Sequence, residues 1–536
     1  MAPPPSTAAS GARVTVSNQT DVGVMARYRH MYTPLEERSR ALERTVLFMQ
    51  AEMEERAELS GVTAAGAPSQ ELVTVVGRVR CEAESGAGRI NKASVELEGS
   101  WRDSDGQRVH CDLKHLPSYS LFPGQTIAAQ GMNPTGANLV VSRLLEGVRR
   151  PRDATAPDEL LRLQHGYVAG GGAPYSVLVA AGPYTTVDNL KYTPFADLLA
   201  VVATTRPDVV VLLGPFVDEA HPQASPSFHG SSVAAGTVSL EVDGMQEAVD
   251  FETLFKVRIA GPLDALLKEA PDLATQFVLV PSTRDAFHDF VYPQASSFRG
   301  TIAASQSAQP PLADRVPGGV PLVDDSEDRV LNLELPRTSG LRKRVHCVGE
   351  PAMFKINEVV VGATSTDVLF DLSCDDVSHN VGHRLARLTE HLLLQQSFYP
   401  LYPPPAPPAA VAAGSAAAAN GNGDNANSSG SGGGGGSVPL DLRHAAKWRM
   451  PVTPDVLLLP SRLAQFARDQ DGCLCVNPGR LAKGGGGGTF AHLLVHPMPK
   501  DVLEAAAAAS AAASAADRAP LPHDVPARTR VEVKRI

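Results

Sequence analysis

Three apolar runs rich in β-branched residues constrain this chain most. They are VLVAAGPYTT (177–186), VVVLLGPFVDEAH (209–221) and FVLVPSTRDAFHD (277–289). Each ends in a turn containing Gly or Pro, with polar residues just beyond. Continuous apolar runs of this length suit strands buried on both faces, the condition of a mainly parallel sheet covered by helices. In such α/β sheets the chemistry sits at the carboxyl ends of the strands, where the polar residues of these runs fall.

At 536 residues the chain has room for about three domains of roughly 150 residues each. With 48 Lys and Arg against 58 Asp and Glu, the net charge is −10. That balance argues against a protein whose main task is gripping nucleic-acid backbone, although it leaves room for a local basic patch. The 46 Gly and 43 Pro signal long irregular stretches beside globular cores. Six cysteines are scattered, with no C-x-x-C pair, and Cys473-Leu474-Cys475 has the alternation of a strand. Buried free thiols in a reducing compartment are therefore expected, with no zinc site, disulfide framework or other cofactor. The N-terminal MAPPPSTAAS lacks the pattern of a signal peptide, and no apolar run has the length of a membrane span.

Residues 1–30 are polar and are expected to be a disordered N-terminus, and a helix is predicted over 31–58. Thr33, Pro34 and Glu36 have the spacing of a capping box with Pro at the first helical position. Leu35, Leu42, Val46, Met49 and Met53 make one apolar stripe on this charged helix. The stripe suits docking on the chain's own domain and docking on a partner equally. Over 70–150 the hydrophobic period becomes two, giving five short strands separated by Gly and Pro turns, as in a small OB-type barrel. Trp101, Tyr119 and Phe122 are expected in or beside loops, which favours an interface module over a reader of single strands. From 170 to 402 β-rich runs alternate with helical stretches at 195–204 and 251–268, the mark of an α/β domain. Polar stretches at 225–236 and 305–328 read as exposed insertions. Residues 403–440 form a low-complexity linker insertion of Pro, Ala, Asn, Gly and Ser. From 450 to 536 the strand pattern resumes and rejoins the α/β domain, with an Ala-rich loop at 504–516 that is helical by propensity. The basic run Arg342-Lys343-Arg344 reads equally as a nuclear-localisation element or a solvated loop.

Several phrases together carry a family resemblance: YSLFPGQ (119–125), VAAGPYTT (179–186), RPDVVVLLGPFVD (206–218), VPSTRD with VYPQ (280–294), TSTDVLFDL (364–372), FYPLYPP (398–404) and CVNPGRL (475–481). With these phrases in this order, the chain resembles the second-largest (B) subunits of eukaryotic DNA polymerase α–primase. The resemblance implies an α/β domain plus a small all-β domain: an OB-type barrel packed on a calcineurin-like metallophosphoesterase domain that is catalytically degenerate. It implies a nuclear accessory subunit that holds the C-terminal domain of the catalytic subunit and, through it, primase, supporting primer synthesis in DNA replication. Contact with DNA would be indirect or weak, with no membrane association. Family members carry a separate N-terminal helical domain. Here the chain starts just upstream of Thr33, so that module and its partner contacts are not expected.

Active calcineurin-like phosphoesterases use D-x-H, G-D-x-x-D and G-N-H-[DE] motifs to hold two metal ions. The first falls near Ala181-Gly182-Pro183, which removes both ligands. The second falls on Gly214 to Asp218, where Pro215 replaces the bridging Asp and Asp218 survives. The third falls on Ser282 to Asp285, where Thr283 replaces the ligand Asn and Arg284 the catalytic His. Later His motifs fall near Thr364 and Arg462, neither with a His. Without a bridging carboxylate, two cations about 4 Å apart lack the charge to hold them, and Arg284 adds a fixed cation. No metal site and no catalytic residue is therefore expected. Asp218 and Asp285 are expected to cap helices or to pair with Arg284. One alternative is an active metallophosphoesterase with relocated ligands, for which His221, His288 and His379 are the candidates. The other is a single-stranded nucleic-acid binder acting through the barrel.

Overall fold

A computed structural model describes residues 14–19, 33–81, 90–166, 171–224, 237–242, 245–286, 290–294, 344–405, 438–512 and 519–536. The three apolar runs become the strands Tyr175–Ala181, Val209–Leu213 and Gln276–Val280, paired in parallel in the centre of a six-stranded sheet. Val345–Cys347 adds a fourth parallel strand at one edge. Thr489–Val495 and Thr529–Arg535 extend the other edge, antiparallel to each neighbour.

A second six-stranded sheet has the order Val16–Asn18, Ala352–Ile356, Val359–Ala363, Val456–Leu458, Cys473–Asn477 and Phe466–Gln470. Part of the N-terminal stretch expected to be disordered is therefore an edge strand, ordered by pairing with Ala352–Ile356 and by burial of Val14. The two sheets face one another, and strand alternation sorts their side chains. Val177, Val179, Val209, Val211, Val278 and Val280 of the first meet Phe354, Val361, Val456 and Val476 of the second in one buried core. Leu178, Val210, Leu212, Phe277 and Leu279 point the other way, under helices Thr193–Thr205 and Phe251–Phe255 with its continuation through Gly261–Glu269. The outer face of the second sheet lies under Val368–Asp375 and Arg384–Leu394. Helix, sheet, sheet and helix thus form four layers, and residues C-terminal to 450 supply strands to both sheets.

Five strands, Ser69–Cys81, Val95–Gly99, Arg108–Asp112, Thr126–Asn133 and Asn138–Leu145, close into a barrel. Its order runs first, second, third, fifth, fourth, and the third and fifth pair in parallel. This is an OB-type barrel. Inward-facing Val75, Val79, Val95, Leu97, Val109, Ile127, Leu139 and Val141 fill it. Trp101 begins a short helix, Trp101–Ser104, and is 63% exposed. Tyr119 lies on a short strand, Tyr119–Leu121, paired with Val377–His379 of the α/β part. Phe122 is not in a loop facing solvent: it is fully buried in the core beneath the second sheet. These two aromatics are therefore part of the seam between barrel and sandwich.

The seam is also hydrogen-bonded. Gln395 exchanges two bonds with the backbone of Thr126, each 2.9 Å, and Ser120 Oγ lies 2.8 Å from His391 Nε2. Helix Leu35–Arg56 lies across the same region. Ala41 enters the core under the second sheet, while Met49 and Met53 pack on Val76, Ala128 and Val148. The apolar stripe thus docks within the chain, and Leu35, 81% exposed, is not part of it. The predicted capping box does not form. Pro34 is the N-cap and no side chain caps the first turn. Thr33 Oγ1 instead donates to Asp441 Oδ1 at 3.4 Å, drawn there by the tertiary contact. Helix Lys500–Ala512 covers 504–512 of the Ala-rich stretch, and 513–516 lie outside the described residues. The predicted insertions at 225–236 and 305–328, most of the 403–440 linker, and Arg342 and Lys343 lie outside the described residues. Arg344 is buried, with Nη2 donating to Pro271 O at 3.3 Å, so it is not solvated.

Candidate functional site

The loops that follow Ala181, Leu213 and Val280 are tied to one another by backbone bonds. Gly182 N donates to Leu213 O at 2.8 Å, and Gly214 N to Val280 O at 2.9 Å. A β-carbon on Gly182 would overlap Pro215 O, and one on Gly214 would meet the Asp285 carboxylate and Ser282. Glycine is required at both positions by close approach rather than by backbone conformation. Beneath them Tyr184 stacks on Phe216 at 5.3 Å, and its hydroxyl donates to Leu213 O at 3.0 Å.

Asp285 is the staple. Its carboxylate accepts from Phe216 N at 2.5 Å, Val217 N at 2.9 Å and Ser282 N at 2.9 Å. Full burial pushes its carboxyl up to about 7, opposed by those three N–H groups. Asp218 lies across an antiparallel bridge from it and pairs with Arg284, Nη2 to Oδ2 at 2.6 Å. The other oxygen of Asp218 accepts from Ala220 N at 3.0 Å. Asp218 therefore pairs with Arg284, one of the two expected roles, whereas Asp285 caps no helix: it gathers the amides of two loops.

Thr283 is buried beside this pair, and the carbonyls of Ala181 and Pro183 accept from Leu481 N at 2.8 Å and Ala482 N at 3.1 Å. That brings the 475–481 phrase under the first loop and Arg480 into the cluster. Arg480 Nη2 lies 3.4 Å from Asp367 Oδ2, and Arg462 Nε 3.3 Å from the same oxygen. Burial lowers the Arg480 pKa, with Asp367 holding it up and the cations Arg284 and Arg462 lowering it further. Near Thr364 sits a second buried acid, Glu350. It accepts from Thr364 Oγ1 at 2.5 Å, Ser365 N at 2.8 Å and Thr366 Oγ1 at 3.1 Å. Burial raises its carboxyl to about 7. Residue-by-residue reading missed Asp367, Arg480 and Glu350 because a polar residue within a β-rich phrase carries no mark of which strand end it will face. Asp367 and Arg480 did stand inside the family-like phrases.

Of the alternative metal ligands, His221 and His379 are described and are engaged elsewhere. His221 is buried and satisfied, with Nε2 2.9 Å from Thr186 O and Nδ1 accepting from Gln223 N at 3.1 Å. His379 is exposed and stacks on Tyr119 of the barrel seam, with ring centroids 5.7 Å apart. His288 lies outside the described residues. Among the described residues no group of three His, Cys, Asp or Glu side chains is placed to hold a metal ion. What these loops present is Arg284 paired with Asp218, and Arg462 and Arg480 paired with Asp367.

Two protein families match this chain. The DNA polymerase alpha/epsilon B-subunit family matches residues 177–468, and the OB domain of the DNA polymerase alpha B subunit matches 39–147. The DNA polymerase alpha B subunit of Rattus norvegicus is 32% identical over 476 residues, covering 88% of this chain and 63% of the relative. Its counterpart in Schizosaccharomyces pombe is 28% identical over 481 residues, 88% of this chain and 68% of the relative. That of Saccharomyces cerevisiae is 24% identical over 434 residues, 80% and 54%. The chain spans less than two thirds of the rat and mouse relatives, 63% and 59%. With an OB-type barrel where the OB family matches and the strand-end loops inside the longer match, the chain belongs to the DNA polymerase alpha/epsilon B-subunit family.

Proposed function

We propose that this chain is a non-catalytic accessory subunit of the DNA polymerase α–primase complex. It acts in the nucleus as a rigid platform for the C-terminal domain of the catalytic subunit and, through that domain, for primase. Its α/β part is a calcineurin-like phosphoesterase fold in which Ala181, Pro183, Pro215, Thr283 and Arg284 stand where metal ligands and the catalytic histidine would be. The observation that carries this reading is the state of the two surviving carboxylates. Asp218 is committed to Arg284 and Asp285 to three backbone amides, so neither offers a free oxygen pair to an ion. Displacing Arg284 would leave a part-buried cation unpaired, which carries a desolvation cost.

Two measurements test it. The purified chain with excess manganese is expected to hydrolyse bis-p-nitrophenyl phosphate and single-stranded DNA no faster than buffer. Turnover that Asp218→Asn abolishes would sink the non-catalytic reading. Co-expressed with the C-terminal domain of a polymerase α catalytic subunit, the chain is expected to elute with it as a single complex on size exclusion. Separate elution would sink the platform reading.

A further inference from the structure

Between helix Leu35–Arg56, the barrel and the turn around Trp448 runs a groove with a cavity volume of about 60 Å³. Leu42, Phe48, Met49, Tyr402, Leu440 and Trp448 make apolar walls.

Arg449 stands in this lining with its guanidinium 4.1 Å over the Phe48 ring, and on that ring Arg150 also sits, at 5.1 Å. Among the described residues its one side-chain hydrogen bond is donated by Nη2 to Thr45 Oγ1 at 3.3 Å. Three of the acids nearby are engaged elsewhere, and Asp441, between the lining residues Leu440 and Leu442, is engaged through Oδ1 while its buried Oδ2 has no partner among the described residues. Glu52 pairs with Arg56 and Arg150, Glu37 with Arg443, and Glu43 accepts from the amides of Trp101 and Arg102. Arg44, close enough to press on Arg449, has no carboxylate among the described residues either, nor has Arg449. In a chain of net charge −10, the groove lining therefore carries one guanidinium, Arg449, that pairs with no carboxylate among the described residues, and the exposed Arg44 acts on it from outside that lining. A half-buried guanidinium without an anion is costly, and its planar fork suits a carboxylate. Arg and aromatic side chains together are also what enriches the cores of protein interfaces.

We propose that this groove is the docking site for a segment of a partner protein that carries carboxylates beside apolar side chains. The apolar residues fill the walls, and a carboxylate lies between Arg449 and Arg44. This docking is separate from the platform reading above: it requires only the groove and its charge, whichever protein supplies the segment.

The test uses the full chain and fluorescence anisotropy with labelled twelve-residue peptides mixing Leu and Phe with Asp and Glu. One matched set replaces the acids by Asn and Gln; another replaces Leu and Phe by Ser. The acidic, apolar set is expected to bind, and each matched set to bind at least tenfold more weakly. Arg449→Gln and the solvent-exposed Arg44→Gln are each expected to weaken binding several-fold, with Arg449→Lys recovering part of it. A single unchanged melting transition would show that the variants fold. Equal binding of the neutral set, no response to either Arg substitution, or no binding by any acidic, apolar peptide overturns the proposal. The chain has an acidic, apolar stretch of its own, LVDDSEDRVLNLEL at 322–335. Binding seen only after deleting 322–335 would mean that the chain fills its own groove, and would also overturn it.

Discussion

At the residue scale, Asp285 and Glu350 set the pH behaviour of the sandwich. Both are fully buried, and burial raises each carboxyl to about 7. An acid whose folded pKa exceeds its unfolded value holds its proton more tightly in the native state. The stability this confers is present below the unfolded pKa near 4 and is lost as pH rises through about 7. Against Glu350→Gln, whose side chain does not ionise, the native chain is therefore expected to lose on the order of 2–4 kcal/mol between pH 4.5 and 7.5. Urea denaturation of both proteins across that range measures it, and parallel pH profiles would contradict it. Asp285 and Asp218 were legible in sequence as surviving carboxylates. Their partners were only partly so, because which amide or guanidinium reaches a carboxylate depends on three loops that are distant in sequence.

At the scale of single elements, helix Leu35–Arg56 separates what periodicity reveals from what packing settles. Its apolar stripe is visible in sequence, but two contacts compete for it, and a one-dimensional pattern cannot name the surface opposite. In the fold Met53 is wholly buried against the barrel and Leu35 is 81% exposed. Met53→Ala is expected to cost about 2–4 kcal/mol, as buried truncations do, and Leu35→Ala less than about 0.5. Chemical denaturation distinguishes them, and equal effects would mean the helix is not docked as described. The capping box failed for a related reason. Local capping geometry is worth about 1 kcal/mol, little enough for tertiary context to override it, and here Thr33 turns to Asp441.

At the scale of the whole molecule, barrel and sandwich share a seam built from Phe122, Ser120, Gln395 and the strand pairing of Tyr119–Leu121 with Val377–His379. Such an interface couples the two parts, so a single cooperative thermal transition is expected. Gln395→Ala leaves the buried Thr126 N–H without an acceptor and removes a donor to Glu146 O at 2.7 Å. It is expected to cost about 2–3 kcal/mol. Combined with Phe122→Ala it should split the calorimetric trace into two transitions; a single peak in the double variant would refute that coupling.

The order of residues along the chain was enough to identify strands, because a run such as VVVLL is apolar at every position and can be buried only on both faces. It was enough as well to locate the strand-end loops and to see which residue types they lack. It did not decide that two sheets would face each other, that residues beyond 450 would supply strands to both, or that Asp285 would gather two loops while Arg449 was left without a carboxylate. Those outcomes depend on groups far apart in sequence meeting in a low-dielectric interior, where each polar atom must find a partner or remain unpaired. Period and composition describe one element at a time, whereas partnership is settled only when the elements pack.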